Sequence, residues 1–222
     1  AFYLAISEKP EFSLAGGLYS DHQVIELSTQ NSAAVIYYTL NGEEPDSLSF
    51  KYISPVNIDK TTALRARGIE KGSLPGVVIT QTYLINEPVN LPVISIVTDS
   101  ANFFDDRIGI YITGTNGRRG SCDTTNRNLN QDWERPVNVE LYEMNGDLAF
   151  NQEAGIKIYG GCSRTRFPQK SLALYARNSY GKGKFDYQIF PDKKIYEFDS
   201  FVLRSSADDQ VRTFVRDALA QY

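Results

Sequence analysis

The chain has 222 residues, with 23 Lys and Arg against 27 Asp and Glu, one His, two Cys, 14 Tyr and 12 Phe. No apolar run approaches the roughly eighteen residues of a membrane-crossing helix, so no membrane-spanning segment is expected. The single His22 rules out multi-His metal sites, and a pI near 5.1 argues against general nucleic-acid binding.

Charge divides the chain unevenly. Residues 1–88 carry 6 basic and 10 acidic side chains, whereas residues 89–222 carry 17 of each. The change falls at Asn86-Glu87-Pro88-Val89-Asn90-Leu91-Pro92, where two prolines favour an extended connector. This predicts two domains, 1–88 and 89–222.

In the first domain, strands are expected at Gln23–Ser28, Ala34–Leu40, Ala63–Gly68 and Val77–Leu84, all rich in β-branched and aromatic residues. Turn signals separate them at Asn41-Gly42, Pro45-Asp46, Lys71-Gly72-Ser73 and Pro75-Gly76. The pattern predicts a small antiparallel sandwich. His22 follows Asp21 just before a strand and reads as a turn residue.

The second domain mixes types. Leu91–Thr98 is an apolar run that suits a buried strand. Val137–Glu143 and Leu148–Phe150 flank Met144-Asn145-Gly146-Asp147, a strong hairpin signal. Further strands fit Gly155–Tyr159, Ser171–Ala176 and Phe198–Leu203. Asp208 or Asp209 would cap a helix with Val211, Phe214, Val215, Ala218 and Leu219 on one face. The sequence stops inside that helix, which suggests a fragment of something longer. Between Gly114 and Asp132 lies a polar stretch with almost nothing to bury. It reads as a long loop, whether functional, disordered or plain surface structure.

The basic residues are concentrated. From Ala154 to Phe185 there are seven, Lys157, Arg164, Arg166, Lys170, Arg177, Lys182 and Lys184, and no acidic one. Two readings stand: a solvated basic face, or an anion-binding surface. Cys122 and Cys162, with 39 residues between them, cannot make a four-ligand zinc site. A disulfide pinning the polar stretch and two independent thiols both fit. No nucleophile elbow, metalloprotease helix or dinucleotide fingerprint is present.

Two family resemblances follow from these motifs. Ile36-Tyr37-Tyr38-Thr39-Leu40-Asn41-Gly42-Glu43-Glu44-Pro45, Tyr52-Ile53-Ser54-Pro55-Val56, Thr62-Ala63-Leu64-Arg65-Ala66 and Thr80-Gln81-Thr82-Tyr83 occur in the order typical of the chitobiase/β-hexosaminidase C-terminal-type module. Over roughly residues 11–84 the chain resembles that family, with Asn41 where Asp is usual. The resemblance implies an immunoglobulin-like accessory sandwich and not a hydrolase site. Sugar binding is open to it, although Tyr37 and Tyr38 point to opposite faces of one strand and cannot both be exposed.

The second resemblance is to the front of the CotH (spore-coat protein H) kinase family. It rests on Leu91–Asp99, Asn102-Phe103-Phe104-Asp105, Gly109–Ile112, Trp133–Glu140 and Ala154–Gly161. Ser163-Arg164, Gln169–Leu172, Phe201–Arg204 and Arg216-Asp217 continue it. It implies a mainly β fold with some α, in which the sandwich precedes a truncated, kinase-like α+β lobe. It also implies an atypical ATP-dependent protein kinase in the full-length protein, with ATP, magnesium and a protein substrate.

Such chemistry needs cations on the phosphates and carboxylates that hold metal. Lys170, which opens an apolar strand, and Arg164, on the Gly160-Gly161-Cys162-Ser163 turn, are the nucleotide phosphate-binding candidates, with Lys157 beside them. The two glycines do not form a Walker A loop. No catalytic residue or metal ligand is assigned. Asp208 and Asp209 read as helix caps, and Asp217 can pair with Arg212 or Arg216. The fragment itself is expected to be inactive and to hold no cofactor. An extracellular, cell-surface or periplasmic location is expected. The alternative function is a non-catalytic surface protein that binds polysaccharide or cell envelope on a kinase-like scaffold.

Overall fold

The computed structural model describes residues 5–206. The helix expected after Asp208 or Asp209, and Asp217, lie outside the described residues. Among those described, strands dominate. In chain order they are β1 (Glu11–Phe12), β2 (Gly17–Tyr19), β3 (Gln23–Ile25), β4 (Leu27–Ser28), β5 (Val35–Thr39) and β6 (Phe50–Lys51). Next come β7 (Val56–Ile58), β8 (Thr62–Ile69), β9 (Ile79–Ile85), β10 (Val93–Val97), β11 (Arg118–Gly120) and β12 (Asp123–Arg127). The last are β13 (Arg135–Tyr142), β14 (Leu148–Tyr159), β15 (Ser171–Tyr175), β16 (Phe185–Asp186), β17 (Glu197–Phe198) and β18 (Ser200–Leu203). The helices are short: α1 (Ser100–Phe104), α2 (Ser163–Arg166) and a 3-10 turn at Asn128–Asn130.

The chain forms two compact units. One runs to Asp99 and includes Asn138–Asn151; the other comprises Ser100–Val137 and the chain from Gln152 onward. Strands β13 and β14 therefore contribute residues to both.

In the first unit, strands β2-β9-β8-β5-β6 form one sheet, while β3 pairs with β7 and β1 with β4. Alternation sends Ile36, Leu64, Ala66, Tyr83 and Ile85 inward from the large sheet, where they meet Ile25, Leu27, Val56 and Ile58. Two apolar faces closing on each other make a β-sandwich. The Tyr83 ring is fully buried, and its hydroxyl donates to Leu14 O at 2.7 Å. The sandwich is not purely antiparallel as expected, because β2 runs parallel to β9 with Gly17 opposite Tyr83.

Residues that alternate outward are used as fasteners. Arg65 lies between the buried Leu64 and Ala66 on β8, yet only 6% of it is exposed. Its Nη1 donates to Gly42 O at 2.8 Å and meets Asp99 Oδ1 at 3.3 Å, while Asp99 Oδ1 also accepts the Glu44 N–H at 2.6 Å. The turn after β5 is thereby tied to the sheet.

β13 carries a fully buried carboxylate, Glu140. It accepts the Thr82 N–H (3.2 Å), the Thr82 hydroxyl, the Tyr142 hydroxyl (2.8 Å) and Asn151 Nδ2 (3.1 Å). Burial pushes the Glu140 carboxyl above the usual range, and the hydrogen bonds from Thr82 and Tyr142 oppose that rise without cancelling it. Burial, and then the charge of Glu140, likewise raises the Tyr142 hydroxyl.

The second unit is also mostly strand. β14, β15 and β18 pair antiparallel, with Tyr159 opposite Ser171 and Leu172 opposite Leu203. Val137, Ile156, Leu174, Ile110 and Phe185 are buried here, and the Phe185 and Phe201 rings meet edge to face at 4.9 Å. α1 and α2, of five and four residues, are its helices among the described residues, so the α part of the expected α+β lobe is slight.

Two expectations change. Leu148–Phe150 and Gly155–Tyr159 were expected as separate strands but are parts of one twelve-residue strand, β14. Every second residue, Phe150, Gln152, Ala154, Ile156 and Ile158, is buried, with the polar Gln152 taking a core position. The polar stretch from Gly114 is not a structureless loop either. It contains the β11–β12 hairpin and a buried turn, Asn128–Asn130.

Amide side chains replace an apolar core there. Asn128 Nδ2 donates to Asp106 O (2.9 Å) and its Oδ1 accepts the Asn116 N–H (3.0 Å). Asn130 Nδ2 donates to Arg118 O (3.2 Å), while Arg118 Nε donates to Asn130 O (2.7 Å). Gly120 packs directly on the Asn130 amide, where any Cβ would collide with it.

A pH test follows for Glu140. Because its folded value lies above an unfolded value of about 4.3, its contribution to stability is fullest below that pH and is lost as pH rises through the folded value. In urea unfolding, the stability of the native protein relative to Glu140→Gln should fall as pH rises through the window above about pH 4. A difference that grows over that window would contradict the assignment.

Candidate anion-binding cleft

The three cations singled out in the sequence occupy different surroundings. Lys157, on β14, pairs with Asp132 Oδ1 at 3.1 Å and Glu134 Oε2 at 3.8 Å, and its ammonium lies 5.6 Å from the centre of the Tyr175 ring. Glu134 in turn accepts Arg177 Nε and Nη2, both at 2.7 Å. Burial works against the charged form of Glu134, but the Arg177 hydrogen bond and charge, with Lys157, hold its carboxyl below the usual range. Lys157 is thus neutralised locally.

Lys170 precedes β15. Its backbone N–H donates to the Tyr111 hydroxyl at 3.0 Å and its Nζ donates to Phe167 O. Burial, and then the charge of Arg127, lowers its pKa. Neither Lys157 nor Lys170 lines the cleft described next.

Arg164 does. It sits on α2, just after Gly160 and Gly161. Gly160 has φ +105°, a conformation that side chains with a Cβ rarely adopt. Arg164 Nε donates to Gly160 O, and Nη1 reaches Leu129 O at 3.5 Å. The neighbouring carbonyl, Asn130 O, holds Arg118. One buried turn therefore gathers two guanidinium groups by their backs, leaving other N–H groups of each unengaged. Burial lowers the Arg164 pKa, the charge of Arg118 lowers it further, and Asp132 opposes.

Between the β11–β12 hairpin and the Gly160–Gly161 turn lies an open cavity of about 250 Å³. Arg118, Arg119 and Arg164 line it, with Ser121, Thr165 and both glycines. Its one acid, Asp123, is already paired with Arg127. Among the described residues the Arg119 side chain has no hydrogen bond or ion pair, and the lining includes no aliphatic or aromatic side chain.

Cys122, at the hairpin tip, is joined by a disulfide to Cys162 at the start of α2, with Cα atoms 5.1 Å apart. The bond connects the two walls of the cleft, and both cysteines are exposed.

Arg118 and Arg119 escaped the sequence reading because they lie in a segment without apolar periodicity. The available signal was a pair of arginines between Gly117 and Gly120, followed closely by Cys122. The basic run from Ala154 is not a single face either, since Lys157, Arg177 and Lys184 are spent in ion pairs. Among the described residues, no three His, Cys, Asp or Glu side chains come together to hold a metal ion, and no helix is long and apolar enough to cross a membrane.

The first unit has a larger groove, about 560 Å³, lined by Leu40, Leu48 and Phe50 with Asn41, Asn57 and Asp59. Phe50 is 64% exposed. Tyr38 meets it at a tilt, with ring centres 5.6 Å apart, and packs on the core, so it is not a free platform.

Comparison with known proteins bears on the first unit. Residues 14–80 match the sequence model of the chitobiase/beta-hexosaminidase C-terminal domain family, in agreement with the resemblance over 11–84. No curated protein and no solved structure matches the chain. The matched residues span β2 to the start of β9.

Replacing Asn130 by Ala removes the amide that holds Arg118 O. Each lost buried hydrogen bond costs about 1–3 kcal/mol when its partner is stranded. Amide hydrogen exchange across β11–β12 should accelerate at least tenfold, while exchange in β8 and β9 stays unchanged.

Proposed function

We propose that the chain is the front part of a secreted or surface CotH-like protein, an atypical ATP-dependent protein kinase preceded by an accessory sandwich. The observation that carries this reading is the convergence of Arg164 with Arg118 and Arg119 at the Gly160–Gly161 turn. Phosphoryl transfer depends on positioning and on cationic stabilisation of the transferring group. Guanidinium forks supply that to phosphate oxygens, and glycines let an anion approach backbone N–H groups.

In this reading Arg118 and Arg164 hold phosphate oxygens, and Lys170, outside the cleft and just before β15, serves the same nucleotide. Its ammonium is bonded to a neutral carbonyl, a partner that a phosphate would outcompete. Lys157 orders Asp132 and Glu134. The reading implies magnesium, but the described residues offer no cluster to hold it, so the role of this stretch is limited to phosphate contact. The disulfide suits an oxidising compartment, as an extracellular, surface or periplasmic protein would meet.

A second reading has a specific observation behind it. The groove beside Phe50 combines an exposed ring with amide and carboxylate side chains, the chemistry that recognises a sugar. It favours a non-catalytic protein that binds polysaccharide or cell envelope.

The full-length gene product, incubated with ATP, magnesium and a protein acceptor, should transfer phosphate. Lys170→Ala should reduce the rate about a hundredfold, the scale set by removing one electrostatic contact. Absence of transfer by the full-length protein would sink the kinase reading, and an unchanged Lys170→Ala rate would remove that residue from the site.

A further inference from the structure

The cleft can be read more finely than as a patch of positive charge. Its volume, about 250 Å³, is below the roughly 300–1,000 Å³ of sites that enclose a whole small-molecule ligand. Nucleobases are held by apolar or aromatic walls, and this lining has none. Three arginines, none in an ion pair among the described residues although the charge of Asp132 reaches Arg118 and Arg164, face a space that suits one compact, doubly charged group. Arg118 and Arg164 are fixed by their backs, each through Nε, to Asn130 O and Gly160 O, so little side-chain freedom remains to be lost when an anion arrives.

The three cations come from two walls. Arg118 and Arg119 belong to the β11–β12 hairpin, and Arg164 to α2 beyond the Gly160–Gly161 turn. The covalent tie between the walls is Cys122–Cys162. Hydrogen bonds also tie both walls to the Asn128–Asn130 turn: Arg118 Nε donates to Asn130 O, Asn130 Nδ2 donates to Arg118 O, and Arg164 Nη1 donates to Leu129 O, a long contact at 3.5 Å. Mutual repulsion between the arginines favours separation of the walls when the covalent tie is lost.

We infer that this cleft is a phosphoryl-group clamp, closed by the Cys122–Cys162 disulfide, which binds a phosphate or pyrophosphate dianion and does not read the base attached to it. It rests on the reading of this cleft as the phosphate end of a nucleotide site, and it departs from the expectation that the chain alone holds no nucleotide. Opening the clamp needs a dithiol. The disulfide takes two electrons and two protons to give two thiols, and the dithiol becomes a cyclic disulfide.

The test is calorimetric titration of the 222-residue protein at low salt with inorganic pyrophosphate, ATP and GTP. The three should bind with dissociation constants within about threefold of one another. Arg118→Gln/Arg164→Gln should weaken pyrophosphate binding at least tenfold, about 1.4 kcal/mol. Dithiothreitol should weaken it similarly, with the far-ultraviolet circular dichroism of the reduced protein unchanged. If reduction unfolds the protein, comparison of the oxidised native and Arg-substituted forms still decides the site.

No pyrophosphate binding, or binding indifferent to both arginines, would overturn the clamp. ATP binding more than tenfold tighter than GTP would show that the base is read. Full affinity in a reduced, folded protein would remove the disulfide from the design. Pyrophosphate bound without any phosphate transfer by the full-length protein would leave the clamp standing and the kinase reading fallen. ATP bound without competition from pyrophosphate would do the reverse.

Discussion

A hairpin with no apolar side chains to bury holds its shape only if something other than the hydrophobic effect fixes it, and in the second unit that constraint governs the rest. The β11–β12 hairpin is fastened at its base by the Asn128 and Asn130 amides and at its tip by the Cys122–Cys162 disulfide. On a chain-entropy basis, closing a loop with a sequence separation of 40 contributes about 3–4 kcal/mol. That is comparable with several buried methyl groups, which such a sequence cannot supply. With both ends fixed, Arg118 and Arg119 acquire defined positions opposite Arg164.

The first unit meets a related problem inside an ordinary sandwich. Its apolar core needs no help, but two ionisable groups are enclosed beside it. Arg65 meets the Gly42 carbonyl and Asp99 through Nη1, so its charge is offset where it loses water, although its Nε is buried without a hydrogen-bond partner. Glu140 is surrounded by neutral donors, Thr82, Tyr142 and Asn151. Four hydrogen bonds satisfy its oxygens yet do not offset the cost of enclosing the charge. One buried charge is paired and the other only solvated by dipoles, and burial accordingly raises the Glu140 pKa.

Much of the strand pattern was legible because alternation has few imitators. Leu64 and Ala66 on β8, and Ile156 and Ile158 on β14, announce a buried face by spacing alone. The matched module over 14–80 was legible for the same reason, its motifs being core positions and turns. What sequence could not show were elements held by polar side chains. Asn128 and Asn130 look like loop residues, and their burial becomes visible only when the carbonyls they serve are located. Gln152 hid the continuity of β14 by placing an amide where an apolar residue is expected. The anion cleft was half legible: Arg164 and its glycines stood out, whereas Arg118 and Arg119 required the fold. Lys170 and Lys157 were conspicuous by charge, but charge says nothing about which side chains share a cavity.

The parallel pairing of β2 with β9 has a mechanical meaning. These strands stand near the two ends of the matched module, with Gly17 opposite Tyr83 and Tyr19 opposite Ile85. Tension applied to the chain before β2 and after β9 would slide them past each other along their common axis. All the hydrogen bonds between them would then carry the load together, instead of parting singly as in an unzipping hairpin. A module wired this way resists stretching and can transmit force along a tethered chain without opening.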